Sequence, residues 1–380
     1  MQATETTQAE NSLNEKTAGQ NAAQSSGWSE PRTIRIGTRI TLLQPLSHGG
    51  EGTGTNRQVL NRHKFMQADG TDDEVPVISG NSIRGLLRDL ANDVLIELLG
   101  RPKLSPACIN FLYSGGSLTK GADSSTLNIQ QARKLRELLP TVSLFGGGTG
   151  NQIHEGKLIV GRAVPLCAET KDWLPDGALS HHSAPLKSIY EHLEELGHTR
   201  TDDLKKERIK ELVAPRQMES PAGGQITLSG TEEADAAVEA RDKPQQMRFY
   251  TEVLATGTVF YHELTALNVT EIEYAALVAA LWALHRTPYL GGKKSNGFGQ
   301  VRLEHQQWAE LLPPARALKQ LLSGENYAQL SAPNFQSAIE LATNEQDAKS
   351  QSAQIPHWAK AYGDFVNENR AKMLETLQSV

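Results

Sequence analysis

Residues 291–299, Gly-Gly-Lys-Lys-Ser-Asn-Gly-Phe-Gly, combine glycines, adjacent lysines and polar donors as an anion-binding loop would. Glycines let backbone N–H groups approach a phosphate closely, the lysines add charge, and the aromatic ring could stack on a nucleobase. The candidate side chains are Lys293, Lys294, Ser295, Asn296 and Phe298. The spacing matches neither a Walker A loop nor Gly-x-Gly-x-x-Gly, which disfavours nucleotide hydrolysis and dinucleotide binding. A purely structural turn before a strand at residues 300–303 fits the same residues.

Residues 33–43 alternate between apolar and polar side chains, which predicts a half-buried β-strand. The apolar face carries Ile34, Ile36, Ile40 and Leu42. Arg35 and Arg39 fall on the other face. That face could offer phosphate contacts, or it could be an ordinary solvated surface.

The apolar spacing of residues 83–99 predicts a helix with Ser82 or Asn81 as its N-cap. Arg84 and Arg88 lie one turn apart near the N-terminal end, where the helix dipole disfavours cations. We interpret this misfit as a sign that the helix end faces an anion, with the arginines and the free N–H groups sharing a phosphate. Surface arginines paired with neighbouring aspartates are the alternative.

The sequence offers few residues for catalysis. His48 and Arg57 lie in a glycine-dense loop at residues 47–57, where the histidine could act as a general base or contact phosphate or ribose. Acids at residues 72–74 could bind a metal, although a solvated turn is the simpler interpretation. The histidines at positions 181, 182, 192 and 198 lack cysteine partners, and Gly-x-Ser-x-Gly and His-Glu-x-x-His are both absent. We therefore predict no catalytic residue, metal or cofactor.

Composition is that of a globular protein. The chain has 380 residues, 38% hydrophobic and 22% charged, with a net charge of −6, so any nucleic-acid contact must be a local basic surface. The sequence has no apolar run of the roughly 20 residues that a membrane span needs, and its N-terminus does not resemble a secretory signal. Two cysteines are too few for a disulfide framework, and a cytoplasmic location is expected.

The predicted order of strand, helix, strand, strand, helix, strand matches a ferredoxin-like, RRM-like βαββαβ core of the α+β class, whose sheet would leave one face open. A capping box of Thr270 and Glu273 marks the second helix, predicted at residues 270–284. The predicted segments are a disordered tail at 1–30, the core at 31–303 and a helical extension at 304–380. Insertions interrupt the core at about 44–75 and about 180–246, the second beginning with a charged helical piece near residue 186.

Three separated segments carry recognisable motifs. Residues 76–88 are Pro-Val-Ile-Ser-Gly-Asn-Ser-Ile-Arg-Gly-Leu-Leu-Arg, residues 143–146 are Ser-Leu-Phe-Gly, and residues 290–301 hold the glycine-rich segment and its strand. They resemble the strand-to-helix motif, the Leu-Phe-Gly element and the C-terminal glycine-rich loop of the RAMP superfamily of CRISPR proteins. The match covers roughly residues 33–303.

The resemblance implies a backbone subunit of a CRISPR effector complex, with the type IV variant as the favoured subtype. Copies would bind head to tail along guide RNA (crRNA), beside other effector subunits, and target nucleic acid would be recognised by base pairing. The insert at 180–246 would be a thumb-like loop. RNA-cleaving relatives place an aspartate in the loop after strand one, where Asn56 aligns here. An amide cannot supply carboxylate chemistry, so we predict no cleavage of target RNA.

The favoured function is therefore a non-catalytic guide-RNA scaffold. Its predicted RNA contacts are Arg35, Arg39, His48, Arg57, Ser82, Arg84, Arg88, Lys293, Lys294, Ser295, Asn296 and Phe298. Two alternatives stay open: a RAMP endoribonuclease that matures guide RNA with His48 as base, and a ferredoxin-like protein–protein adaptor that binds no RNA.

Overall fold

The chain is described here from a computed structural model. It describes residues 28, 30–49, 57–116, 129–149, 152–175, 177–179, 182–199, 248–312, 330–331 and 357–378. Predictions for residues 1–27, for Asn56 and for most of the thumb-like insert lie outside these residues.

Thirteen strands and six α-helices are named here among the described residues. The strands are β1 (Arg32–Leu42), β2 (Arg57–Gln58), β3 (Arg62–Met66), β4 (Asp72–Pro76), β5 (Gly147–Thr149), β6 (Gln152–His154), β7 (Leu158–Val160), β8 (Val164–Pro165), β9 (Leu193–Thr199), β10 (Arg248–Leu254), β11 (Val259–Val269), β12 (Val301–Leu311) and β13 (Leu330–Ser331). The α-helices are α1 (Gly80–Leu98), α2 (Pro106–Ile109), α3 (Ile129–Leu138), α4 (Pro140–Phe145), α5 (Glu271–Arg286) and α6 (His357–Gln378).

The main sheet has the order β13-β12-β1-β11-β7, with β8 also pairing with β11, and all its neighbours are antiparallel. A smaller sheet, β2-β10-β9, and two hairpins, β3-β4 and β5-β6, stand apart from it. Helices α1, α4, α5 and α6 pack together beside the main sheet and share its core. The mixed α+β class predicted from the sequence is confirmed.

Alternation in β1 gives the burial that the sequence predicts. Ile34, Ile36, Ile40 and Leu42 are all almost completely buried in the main core. The opposite face is not the open surface that we expected, because the chain around residues 166–186 packs onto it. A second small core forms there, with Val259 and Tyr261 of β11 as members, and Tyr261 lies directly beside Arg39 in the sheet.

Helix α1 begins earlier than the sequence pattern suggests. Ser79 is the N-cap, in an extended conformation, and its hydroxyl accepts a hydrogen bond from the Ser82 N–H at 3.2 Å. The predicted caps Asn81 and Ser82 therefore lie inside the first turn. Gly80 permits this early start, since a Cβ there would lie 2.4 Å from the Val160 carbonyl oxygen.

Helix α5 begins with the predicted capping box, which is confirmed: Thr270 and Glu273 each accept a hydrogen bond from the other's backbone N–H. Glu273 does more than cap. Its carboxylate is almost completely buried and accepts hydrogen bonds from Lys157 at 2.7 and 2.8 Å and from the Ser143 hydroxyl. This network ties α4 and the start of β7 to α5.

Replacing Glu273 with glutamine is expected to lower the free energy of unfolding by about 2 kcal/mol, because the partly buried Lys157 ammonium loses its counter-charge. Urea titration measures the change. Glu97→Gln is the matched control, since its ion pair with Arg101 is mostly exposed and surface pairs contribute about 0–1 kcal/mol. Equal losses in both variants would contradict the prediction.

Several sequence predictions need correction. The insert was expected to begin with a charged helical piece, but residues 193–199 form strand β9, which pairs with β10. The acids at residues 72–74 lie in β4 of a hairpin rather than in a turn. Trp28, assigned to the tail, packs its ring 5.1 Å from that of Tyr274.

The predicted boundary at residue 303 also differs from the structure. Strand β12 continues to Leu311 and pairs with β1 as far as Thr33. Helix α6 lies in the segment predicted as an extension, yet it supplies part of the main core. Its buried members are Trp358, Tyr362, Val366, Met373 and Leu377. No helix among the described residues has the length and hydropathy of a transmembrane span.

Candidate nucleic-acid interface

Three separated segments meet where helix α1 begins. They are the loop after β1 (residues 43–49, the β1 loop), the first turns of α1, and residues 290–300 (the glycine loop). The end of α4, which carries the Leu-Phe-Gly element, joins them from the other side of α1. Hydrogen bonds connect all four in series: glycine loop to β1 loop, β1 loop to α1, and α1 to α4.

His48 links the β1 loop to the start of α1. The Ser79 backbone N–H donates to His48 Nε2 at 3.2 Å, so the acceptor lone pair of that ring nitrogen is already used. Burial lowers the pKa of His48, and the neighbouring His63 lowers it further. The imidazole is thus held neutral as a structural acceptor, which is not how a general base is presented to a substrate.

Arg84 and Arg88 converge on one backbone oxygen. Each guanidinium donates through Nη2 to the Phe145 carbonyl oxygen at 2.7 Å. Burial lowers the pKa of Arg88, with the Arg84 charge as a second cause. Among the described residues neither arginine is in an ion pair, so the alternative, pairing with neighbouring aspartates, is not what the structure shows. The two charges fix the Leu-Phe-Gly element against α1 and leave the local potential positive.

The glycines of the glycine loop allow a close approach to the protein's own chain. The Gly292 N–H donates to the Ser47 carbonyl oxygen at 2.7 Å, and the Gly299 N–H donates to the Pro45 carbonyl oxygen at 2.8 Å. A Cβ on Gly291 would lie 2.5 Å from the Ser47 oxygen. Gly291, Gly292 and Gly299 therefore pack against the protein's own backbone at the β1 loop. The sequence had suggested that the backbone N–H groups of this loop bind a phosphate.

The two lysines of the glycine loop differ in their surroundings. Lys293 has a left-handed backbone, with φ of 53°, and its ammonium donates to the buried Thr251 hydroxyl of β10. Burial lowers the pKa of Lys293. Lys294 is exposed and acts electrostatically on Asp89 of α1. Ser295 and Asn296 are exposed and Phe298 is half-buried, so these three side chains are accessible to a ligand.

Of the remaining predicted contacts, Ser82 belongs to this cluster, whereas Arg35 and Arg39 lie on β1 and Arg57 lies on β2. Arg39 faces Glu304 across the sheet at 4.0 Å, and Arg57 forms an ion pair with Glu195 at 2.9 Å. Arg35 is half-buried on the outer face of the main sheet, on the side away from the helices. Ser82 is exposed in the first turn of α1 and donates its backbone N–H to Ser79.

Sequence reasoning missed three positioning groups: Ser79, Thr251 and the Phe145 carbonyl. Only Ser79 had a signal, since a serine before glycine at a helix start is a common N-cap. No group of three His, Cys, Asp or Glu side chains placed to hold a metal ion occurs in the described part of the chain. The histidine at position 181 lies outside that part.

Comparisons with known proteins give the family of this chain. A chain described as "Type IV-B CRISPR Complex" is similar at 23% identity, covering 76% of this chain and 98% of the other, with a TM-score of 0.46. The crystal structure of Thermofilum pendens Csc2 is similar at 15% identity, covering 91% and 82%, with a TM-score of 0.35. No curated protein matches. The model of the RAMP superfamily matches residues 39–302, well over half of the chain. The protein belongs to the RAMP superfamily.

Proposed function

We propose that this protein is a non-catalytic, RNA-binding backbone subunit that oligomerises along the guide RNA of a CRISPR effector complex, of type IV. One observation carries the proposal. The three segments that resemble RAMP motifs are far apart in sequence, yet they are linked through hydrogen bonds and the β1 loop around the start of α1. A shared site is the simplest reason for these segments to be constrained together.

The scaffold of the proposed site is a ferredoxin-like core. Strands β12, β1, β11 and β7 lie side by side in that order, and α1 and α5 occupy the two crossover positions of a βαββαβ chain. In this proposal the core spans residues 31–311. The insert at about 180–246 forms the thumb-like element, and the tail ends before Trp28, which packs on Tyr274.

A non-catalytic role is supported by the environment of His48. Its Nε2 accepts the Ser79 N–H, and burial keeps the ring neutral, so the endoribonuclease alternative lacks its base in this arrangement. The aligned Asn56, which lies outside the described residues, adds an amide where a carboxylate would be needed.

RNA contacts in this proposal come from the exposed charges near the cluster. Lys294 and Arg302 are both exposed, and neither is in an ion pair among the described residues. Arg84 and Arg88 supply positive potential, while Arg35, Arg39 and Arg57 lie at the margins. Head-to-tail contacts between copies would leave an open-ended filament, as heterologous interfaces do.

The proposed phosphate contacts predict a defined salt response. Changing both Lys294 and Arg302 to glutamine is expected to weaken binding to single-stranded RNA and to reduce the slope of log affinity against log salt by about 1.4, at roughly 0.7 per lost contact. Fluorescence anisotropy across a salt series measures the slope. Lys372→Gln, an exposed lysine of α6, is the control and should leave the slope unchanged.

Oligomerisation is tested on the wild-type protein purified from its expression host. Large particles that light scattering detects and that RNase dissolves would support the filament. A nucleic-acid-free monomer that also ignores added guide RNA would refute the function and favour the adaptor alternative. Cleavage of a repeat hairpin, lost on replacing His48 with alanine, would instead establish the endoribonuclease.

A further inference from the structure

The glycine loop and the β1 loop border a surface groove of about 470 Å³. Its walls include two aromatic side chains, Tyr289 and Phe298, together with Pro45. Gly297 and three carboxamide side chains complete the lining: Gln44, Asn296 and Gln300. The volume falls in the range of small-ligand sites, about 300–1,000 Å³. No charged side chain of the described residues lines this groove.

The lysines of the glycine loop act outside the groove. Lys293 donates a hydrogen bond to the Thr251 hydroxyl, and Lys294 interacts electrostatically with Asp89 on α1. A phosphate in the groove would therefore meet no cationic side chain. An uncharged planar ligand suits the lining better, because aromatic rings offer stacking surfaces and carboxamides offer neutral hydrogen bonds.

The carboxamides have hydrogen-bonding capacity to spare. The side chains of Gln44 and Gln300 have no hydrogen-bond partner within the described ranges. The Ser295 hydroxyl donates to Asn296 Oδ1 at 3.4 Å, which leaves the amino group of Asn296 available. A carboxamide presents one donor and one acceptor side by side, the arrangement that pairs with the edge of a nucleobase.

The backbone beneath these side chains is already fixed. The Leu43 N–H donates to the Gln300 carbonyl oxygen, and the Gly299 N–H to the Pro45 carbonyl oxygen, both at 2.8 Å. Tyr289 and Gln300 face each other in an antiparallel bridge. A ligand in the groove would therefore order little main chain, which lowers the entropic cost of binding.

We propose that this groove holds one unstacked nucleobase of single-stranded RNA, with the Phe298 and Tyr289 rings as stacking surfaces and the carboxamides against the base edge. The inference rests on the RNA-binding function proposed above. To the stacking on Phe298 that the sequence suggested, it adds a second ring, Tyr289, and hydrogen bonds from carboxamides to the base edge. Contacts of this kind select among bases and are nearly independent of salt.

The test compares two ligands with the full-length protein: a short single-stranded RNA and a length-matched abasic ribose-phosphate chain. Phe298→Leu keeps an apolar side chain but removes the ring. It should weaken binding of the RNA by about tenfold, without affecting the abasic chain or the salt slope. Tyr190→Leu, an exposed aromatic outside the groove, is the matched control and should change neither affinity.

A second variant keeps the inference testable if the loss of the ring disturbs folding. Gln44 is exposed, so Gln44→Ala should fold normally and should alter the preference among the four homopolymeric RNAs. Wild-type protein that binds both ligands equally, or variants that weaken both ligands alike, would overturn the inference and leave RNA binding intact. Wild-type protein that binds neither ligand would overturn the proposed function itself.

Discussion

The Gly299→Ala variant is expected to lose about 3 kcal/mol of unfolding free energy, which would make it one of the most damaging single changes in the glycine loop. Gly299 has φ of +78°, a conformation that costs an L-residue roughly 1–2 kcal/mol. A Cβ there would also lie 1.9 Å from the Leu290 carbonyl oxygen, so the backbone would have to move to make room for it. Overpacking of this kind adds roughly 1–3 kcal/mol. Urea unfolding curves measure the sum.

Gly297 provides a control within the same loop. Its φ of +84° is nearly the same, but a Cβ there would meet no atom within 4 Å. Gly297→Ala should therefore cost only the backbone term of roughly 1–2 kcal/mol. The difference in unfolding free energy between the two variants measures the cost of the close approach between position 299 and the Leu290 carbonyl oxygen. Equal losses would show that the glycine loop does not pack as described.

Acidification from pH 6.5 to pH 4.5 is expected to remove about 4 kcal/mol of stability through two buried histidines, His262 and His305. Burial lowers the pKa of His262 to about 4 and that of His305 to about 3, from 6.5 in the unfolded chain. The stabilisation is therefore complete above pH 6.5 and is lost as pH falls towards the folded-state pKa values. Each pH unit in this window costs up to about 1.4 kcal/mol per histidine.

The structure explains why these two rings stay neutral. His262 and His305 flank Thr38 on adjacent strands and border a cavity of about 20 Å³ within the core. His262 Nε2 has no partner among the described residues, and His305 Nδ1 lies 2.9 Å from the Thr38 hydroxyl. A proton added to either ring would place an uncompensated charge in the core. At His305 the nearest ring is another histidine, His285, whose Nε2 lies 3.1 Å from His305 Nε2.

Replacing His262 with leucine separates this effect from the titration of carboxylates. The acid-induced loss between pH 6.5 and pH 4.5 should shrink by about 2 kcal/mol, because one of the two titrations disappears. His198→Gln, an exposed histidine of β9, should leave the pH profile unchanged. Superimposable profiles of His262→Leu and wild type would refute the assignment.

The sequence correctly predicted those strands and helices in which local residue spacing alone determines burial or a helix start. The alternation in β1 correctly identified Ile34, Ile36, Ile40 and Leu42 as core residues, and the capping box located the start of α5. Strand β12 was cut short because residues 304–311 lack β-branched side chains and have weak strand propensity. Its pairing with β1 overrides that local preference.

The candidate site was predicted less completely, because long-range contacts decide what its residues do. Lys293 reaches Thr251, 42 positions away, and Arg84 and Arg88 reach Phe145, about 60 positions away. Neither contact has a local signature in the sequence. The residue types identified the segments that meet at the candidate site. The hydrogen-bond partner of each side chain could be identified only in the folded structure.

Helix α6 must be translated before the main core can be completed. Its buried side chains belong to the same core as β1 and α1, and Arg370 donates to the Leu99 carbonyl oxygen at the end of α1 at 2.8 Å. A nascent chain that has not yet emerged beyond residue 378 therefore exposes the apolar surface that α6 will cover. Native packing of the core is completed only after translation of this helix, so assembly waits for residues well beyond the glycine loop.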